Sequence, residues 1–491
     1  MVQKFTYIKT NKMKKNDWIL TGMTAIYSFL FYGELPGLNL SIFTLVIIAA
    51  MVLKNKEILK NKNWLVIALS CLITAFSVSY LGNTLSLLAN YISLFILIGM
   101  SLDDKSSVFF SLIYGLYSTL SSPILMYLDK SEKKSESVDV SNFRKKALLI
   151  SIPVLITVIF FFMYKNSNPI FASFANKINF DWISWGWIFF TLTGFAFLYG
   201  VIHAMKIQDL VSIDEVDTLD INSENKKELH LFGKPIAVVD EYFSGKLLFI
   251  LLNVLIAVVN LLDFNFLFVD QKVPGNLTLA QFLHQGVGML VVSIAISIAI
   301  ILFYFRGQLN FYKENKTFKM LAYFWIMQNI FMLLSVCFKN SIYINNYGLT
   351  YKRIGIYIYA ILTLIGLITT LLKVYKVKIN LYLVRLNGWT FYAVFLISSL
   401  INWDKLIIDF NKGAKMEYDV YYILSLSDSN IPAFIELKDS IKDKSIKYQY
   451  SRMLNSKIYF FNKNHSPFSW KSWNYQDAKA IEALKKYTAN R

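Results

Sequence analysis

The chain has 491 residues, of which 55% are hydrophobic and only 17% are charged. A soluble domain carries about 25% charged residues, so this composition argues against a soluble protein and indicates a multi-pass membrane protein. The formal net charge of +18 does not indicate nucleic-acid binding, because the lysines cluster in short segments beside apolar runs. There they orient the chain and meet anionic lipid head groups.

The N-terminal part begins with a basic segment at residues 1–16, which the positive-inside rule places in the cytoplasm. Residues 17–146 contain the N-terminal helices. Four apolar runs predict membrane spans at Trp18–Tyr32, about Leu38–Leu53, Trp64–Tyr80 and about Leu85–Leu102. The run Val108–Tyr127 is long enough to span, yet crossing would put the basic loop Asp129–Lys146 outside. We therefore predict an interfacial or re-entrant helix there.

The membrane core is predicted at residues 147–403, where apolar runs of the length that crosses about 30 Å of hydrocarbon recur. Its predicted spans are Ala147–Tyr164, Trp182–Met205, Lys246–Phe268, Gln281–Arg306, about Met320–Phe338, Ile354–Leu372 and Trp389–Trp403. An acidic inner loop occupies residues 207–242. With about eleven spans, the N-terminus inside and the C-terminus outside, every strongly basic short loop falls on the inner side.

The tail at residues 404–491 is polar and mixed in charge, and we predict a small, mostly helical, extracytoplasmic segment. Asn474, with Asp477 three residues later, resembles a cap that opens a helix at Tyr475–Tyr487. The aromatic stretch Ile458–Trp473 is expected on the membrane surface or on the loops above the helices. The predicted fold class is all-α: a polytopic transmembrane bundle of about 11 spans with this tail.

Ionisable groups at membrane depth cost about 2.5–3.5 kcal/mol each, so they need an explanation. The predicted topology places Asp263, His284 and Arg353 at one depth on the outer face. Residues that could join them are Gln285, Tyr347, Tyr351 and Asp270. Such a cluster is a candidate ligand site, proton site or catalytic cluster, and the alternative is an interfacial network that ties three helices together.

Two asparagines, Asn253 and Asn260, lie seven residues apart and therefore on about one face of a helix. We predict that they make polar contacts between helices, with a substrate site as the alternative. Cys71 and Cys337 fall inside apolar runs, and HExxH, CxxC, GxSxG and phosphate-loop patterns are all missing from the sequence. The sequence therefore predicts no metal and no cofactor.

Four short motifs resemble a known family. They are NPIF at Asn168–Phe171, FLHQG at Phe282–Gly286, YGLTYKR at Tyr347–Arg353 and DVYYILSLSD at Asp419–Asp428. In their order and placement they resemble a bacterial multi-pass membrane family catalogued as domain of unknown function 4173, with a related group numbered 4153. The resemblance covers roughly residues 142–437. It implies a protein of the bacterial inner membrane, and it carries no reaction and no catalytic residues.

Three functions compete. The favoured one is a transporter-like or accessory membrane component, not an enzyme, with a polar ligand or proton site on the outer face. The second is a polyprenyl-phosphate-dependent glycosyltransferase-like enzyme, which would need a carboxylate pair in the first outer loop, where the sequence offers only Glu34. The third is a scaffold or signalling subunit that docks a cytoplasmic protein partner at residues 207–242, a loop that could equally be a solvated linker.

Overall fold

A computed structural model gives the fold of the chain. It describes residues 9–103, 106–123, 184–207, 219–221, 237–269, 279–413, 419–441, 443–464 and 469–489, with scattered positions at 153–171 and 210–235. Sixteen helices lie in this part of the chain: α1 (Lys9–Phe31), α2 (Leu38–Lys54), α3 (Lys62–Leu81), α4 (Thr84–Met100), α5 (Val108–Leu120), α6 (Trp185–Ile202), α7 (Val238–Phe264), α8 (Leu279–Tyr304), α9 (Asn315–Tyr347), α10 (Tyr351–Lys376), α11 (Asn380–Ser399), α12 (Trp403–Gly413), α13 (Val420–Ser425), α14 (Ile431–Ser440), α15 (Lys444–Asn464) and α16 (Tyr475–Ala489). The predicted all-α fold class is confirmed.

Six of these helices are long and apolar enough to cross a membrane: α3, α6, α7 with a π-helical extension at Asn265–Val269, α9, α10 and α11. Four shorter apolar helical stretches accompany them in the described residues, at Leu38–Lys54, Thr84–Met100, Val108–Leu120 and Leu290–Tyr304. Several membrane-length helices in one chain indicate a multi-pass membrane protein. The count of eleven spans stays a prediction, because Ala147–Tyr164 lies mostly outside the described residues.

A first bundle contains α1–α6 together with α11. Trp64 and Leu97 are fully buried in its core, and Tyr392 of α11 joins them. Helices α3 and α4 follow each other through a tight turn. Gly82 takes a left-handed φ of +61° there, and the Asn83 side chain caps α4 by accepting a hydrogen bond from a backbone N–H three residues on.

Helix α5, the segment for which the sequence left two interpretations, packs closely against α4. A Cβ on Gly99 would lie 1.8 Å from the Ser111 carbonyl oxygen, and one on Gly115 would lie 1.8 Å from that of Phe95. The reversed order of these two contacts makes α4 and α5 antiparallel. Thirteen residues span about 20 Å at the rise of an α-helix, which is short of a full crossing. The interpretation as an interfacial or re-entrant helix stays a prediction.

A second bundle contains α7–α10. The rings of Phe318 and Trp325 both meet the Phe249 ring edge-on, and each of their centroids lies 5.1 Å from that of Phe249. Phe249 is fully buried in this core. Helix α11 packs against α10 as well as against α3, α4 and α5. The two bundles are therefore joined through α11.

The tail forms a third core that reaches into the second bundle. Phe434 and Leu454 are fully buried in it, and Ile344, Leu349 and Ile354 from the ends of α9 and α10 belong to the same cluster. The predicted cap of α16 is confirmed, because Asn474 Oδ1 accepts the N–H of Asp477 (2.9 Å) and Asn474 Nδ2 donates to its carboxylate (2.6 Å). The tail is mostly helical where it is described.

Several predicted boundaries were wrong. Helix α9 continues to Tyr347, nine residues beyond the predicted Phe338, and α7 begins at Val238, inside the predicted inner loop 207–242. Helix α11 ends at Ser399, and Trp403 begins α12. For α9 and α7 the cause is that hydropathy marks only the apolar stretch of a helix, whereas backbone hydrogen bonds continue through its polar ends. Helix α11 differs, because the apolar run continues through residues 400–401 while the backbone already turns there, with Leu400 N–H donating to the Ile397 carbonyl. Loop 207–242 also contains a two-residue antiparallel pair of strands, His230–Leu231 with Lys234–Pro235.

Candidate functional site

The tail docks onto one end of the two bundles, which we call the tail face and define by the connections 33–37, 82–83 and 348–350. The N–H groups of Leu38 and Asn39 donate to the carbonyl oxygens of Trp473 (2.9 Å) and Lys471 (2.8 Å). At the second bundle, Leu349 N–H donates to Asn411 Oδ1 (2.7 Å). The tail therefore bridges the first and second bundles.

The Glu34 carboxylate fixes this docking. It accepts hydrogen bonds from the hydroxyls of Ser469 and Ser472, both at 2.9 Å, and the Lys471 ammonium lies 3.7 Å away. The part of the aromatic stretch at 469–473 thus rests on a loop above the helices, which is one of the two predicted placements. Glu34 is committed to holding the tail.

Among the predicted site residues, Asp263 forms an ion pair that the sequence did not indicate. Its Oδ1 lies 2.5 Å from Lys339 Nζ, and the two side chains are only 14% and 11% exposed. This pair joins α7 to α9. The side chains of His284 and Gln285 lie outside the described residues, although their backbone belongs to α8.

Arg353 has different partners from Asp263. Its Nη1 donates to the carbonyl oxygens of Tyr347 (2.7 Å) and Gly348, and its guanidinium lies 4.1 Å from the centroid of the Tyr343 ring. These contacts close the turn between α9 and α10. The structure therefore brings Arg353 and Tyr347 together, while Asp263 lies in a separate pair.

The asparagines of α7 contact α9. Gln328 Nε2 donates to Asn253 Oδ1 (2.7 Å), and Asn253 Nδ2 donates to the Leu321 carbonyl (3.1 Å). One step nearer the tail face, Asn260 Nδ2 donates to the Gln328 carbonyl (3.1 Å). Amide groups that meet in this way hold two membrane helices at a fixed rotation about each other.

A cavity of about 680 Å³ lies between the two bundles under the tail. Its walls come from the first turns of α4 and α10, and its roof comes from the tail. The lining residues are Gly82, Asn83, Thr84, Leu85, Leu88, Tyr351, Ile354, Gly355, Ile358, Trp403, Asp404, Tyr422, Ser425, Leu426 and Ser427. The aliphatic members belong mostly to membrane helices and the polar members mostly to the tail, so the cavity is amphipathic.

Asp404 is the charged group of the cavity, and it is 8% exposed. Its Oδ1 accepts the Tyr351 hydroxyl at 2.5 Å, and its Oδ2 accepts Ser427 N–H and Asn430 Nδ2, both at 3.1 Å. All three donors are neutral. Within the described residues no lysine, arginine or histidine lies within ion-pair distance of this carboxylate.

Tyr422 stands beside this carboxylate and accepts the backbone N–H of Tyr351 at 2.8 Å. Burial raises the pKa of Tyr422, the negative charge of Asp404 adds to the rise, and the hydrogen bond from Tyr351 and the charge of Arg353 oppose it. Its hydroxyl is therefore a neutral hydrogen-bonding group at physiological pH. The tyrosine can orient a polar ligand without contributing a charge.

The model of the family described as "Domain of unknown function (DUF4153)" matches residues 40–437, more than three quarters of the chain. The chain belongs to this family. The group numbered 4153, named above as the related one, is thus the one that matches, and the match begins about a hundred residues earlier than the resemblance did. No curated protein and no solved structure matches the chain.

Within this DUF4153 chain, every residue that lines the cavity falls inside the matched region. The sequence named Tyr351 as a companion of Arg353, but it missed Trp403, Asp404 and Tyr422. One signal could have indicated Asp404, because it follows the last apolar run directly, at the depth where a carboxylate needs partners. Among the described residues, no group of three or more histidine, cysteine, aspartate or glutamate side chains could hold a metal.

Proposed function

We propose that this DUF4153 protein is a transporter-like or accessory component of the bacterial cytoplasmic membrane that binds an amphiphilic, lipid-derived ligand in the cavity under its tail. One observation carries the proposal: a cavity of about 680 Å³ has aliphatic walls in membrane helices and a buried carboxylate at its roof. A volume of this size suits a small-molecule ligand. The apolar part of such a ligand would lie along α4 and α10, and its head group would meet the tail.

The tail face is the outer face in this proposal. The chain segments at the opposite end carry the basic loops, and two ion pairs join those segments: Lys206 with Asp103 (2.9 Å) and Lys378 with Asp220 (2.6 Å). Placing these basic segments inside follows the positive-inside rule and puts the tail outside. A head group from the outer leaflet would then lie at the depth of Asp404.

The glycosyltransferase-like alternative receives less support. It requires Glu34 to help hold a metal ion, whereas both oxygens of Glu34 accept hydroxyl hydrogen bonds from the tail. The scaffold alternative depends on loop 207–242, which lies mostly outside the described residues.

A pair of matched glycine substitutions tests the proposal. A Cβ on Gly355, in the cavity wall, would meet nothing within 4 Å, so the side chain of Gly355→Leu has room to enter the cavity. Gly22 of α1 has equally open surroundings and does not line the cavity, so Gly22→Leu is the control. Binding of palmitoyl lysophospholipids to the full chain in a maltoside detergent is measured by ligand-dependent thermal shift.

We expect saturable binding of at least one lysophospholipid, at least tenfold weaker for Gly355→Leu and unchanged for Gly22→Leu. The leucine side chain occupies the space that the acyl chain requires. Equal binding by the two variants would refute the location of the site, and no saturable binding by the wild-type chain would refute the proposed function.

A further inference from the structure

We infer that the head group of the ligand carries a primary ammonium group and that Asp404 binds it. This inference rests on the proposed function, since it names the chemistry of a ligand in the same cavity. It depends on what surrounds the carboxylate.

The carboxylate of Asp404 has no counter-charge among the described residues. Asp404 is 8% exposed, and Tyr351, Ser427 and Asn430 satisfy it only with neutral donors. A buried carboxylate is normally accompanied by a cation, because neutral hydrogen bonds offset only part of the loss of hydration. The site thus has a net negative charge that a cationic ligand would neutralise.

Arg353, close to Tyr422, is engaged by other groups. The charge of Arg353 reaches the Tyr422 hydroxyl, yet its Nη1 is committed to two carbonyl oxygens and its guanidinium to the Tyr343 ring. It forms no ion pair with Asp404 within the described residues. Arg353 therefore leaves the carboxylate available, and it would favour a head group whose anionic part lies toward α10.

The lining of the cavity favours an ammonium group over a metal ion. Tyr351, Tyr422 and Trp403 line the cavity around the carboxylate, and aromatic rings attract an ammonium group through their faces. A hard metal ion would require several oxygen ligands such as carboxylates and carbonyl groups. A single carboxylate with aromatic neighbours instead suits one ammonium group. The aliphatic walls beyond it suit the chain of an amphiphile.

The experiment compares four probes on the full wild-type chain. Palmitoyl lysophosphatidylethanolamine carries the ammonium group, and palmitoyl lysophosphatidylglycerol has the same chain and phosphate without it. The N-acetylated ethanolamine lipid keeps the chain, the phosphate and the position of the nitrogen but replaces the charged group by a neutral, slightly larger amide. Phosphoethanolamine supplies the ammonium group without a chain. Asp404→Asn is the matched variant, and its thermal unfolding without ligand reports whether the roof still folds.

We expect the ethanolamine lipid to bind at least tenfold more tightly than the glycerol lipid and the N-acetylated lipid, and Asp404→Asn to remove this preference. Because the N-acetyl comparison uses the wild-type chain, the inference stays testable even if Asp404→Asn misfolds. Equal binding of all three lipids, still weakened by Gly355→Leu, would refute the ammonium group and leave the amphiphile site standing.

Two further results separate the inference from the proposed function. Binding of phosphoethanolamine as tight as that of the lipid would support ammonium recognition and refute the need for an amphiphile. Absence of binding by every probe would refute both.

Discussion

Two carboxylates of this chain, Asp404, which is buried, and Asp263, which is mostly buried, are stabilised in different ways. Asp263, at the interface of α7 and α9, has a lysine 2.5 Å from its Oδ1, whereas Asp404, in the cavity under the tail, has three neutral donors and no cation among the described residues. In the first arrangement the chain itself supplies the counter-charge, although Asp263 Oδ2 is buried without a hydrogen-bond partner among the described residues. The second leaves a charge for a ligand to neutralise, and this difference separates a structural pair from a candidate site.

The largest effect is expected at the structural pair. Lys339→Met leaves the Asp263 carboxylate buried without its cation, which costs about 3 kcal/mol of stability. Unfolding of the purified chain in detergent, followed by heat or by denaturant, measures the loss. The double variant Asp263→Leu with Lys339→Met should recover most of it, because no unpaired charge remains. A double variant as unstable as Lys339→Met would show that the lysine acts through packing alone.

A smaller effect is expected for Asp404→Asn. The amide can still accept from Tyr351, but its NH₂ group faces the donors of Ser427 and Asn430, so about 1–3 kcal/mol of stability is lost. The unfolding measured for Lys339→Met applies here too, with Asp409→Asn as an exposed control in the same helix. A loss clearly above this range would mean that the substitution leaves a cationic partner of Asp404 unpaired.

Tyr351→Phe removes one donor and leaves the other two in place. Loss of a single hydrogen bond to a charged group costs about 1.5 kcal/mol, and the carboxylate becomes less well satisfied. If Asp404 binds an ammonium group, this variant should bind palmitoyl lysophosphatidylethanolamine with an affinity within threefold of wild type, as the ligand replaces the lost donor. A loss of binding as large as that of Asp404→Asn would assign the recognition to the tyrosine hydroxyl instead.

The helical bundles and the surroundings of Asp404 also differ in how far the sequence could predict them. Hydropathy identified the helices of both bundles, because long apolar runs determine a membrane span almost alone, and local rules placed the Asn474 cap. The C-terminal end of α9 was missed because Lys339–Tyr347 is largely polar although it is helical. The environment of Asp404 could not be predicted, since its donor Tyr351 is 53 residues away and only packing of the tail on α10 brings them together.

The smallest effect is expected at an exposed ion pair, Lys405 with Asp409, on the helix that also carries Asp404. Lys405 Nζ and Asp409 Oδ2 lie 2.9 Å apart, but the side chains are 60% and 58% exposed, so solvent screens the pair to about 0.5 kcal/mol or less. The hydrogen bond to Asp409 raises the pKa of Lys405. A raised lysine pKa means that this small contribution is present at neutral pH and disappears as pH rises through and beyond 10.5, the ordinary value. Lys405→Met should therefore change the unfolding temperature little at pH 7. At a pH well above 10.5 it should not change the unfolding temperature at all. A loss comparable to that of Lys339→Met would show that exposure does not weaken an ion pair in this chain, and the large effect expected at the Asp263–Lys339 pair could not be attributed to burial of that pair.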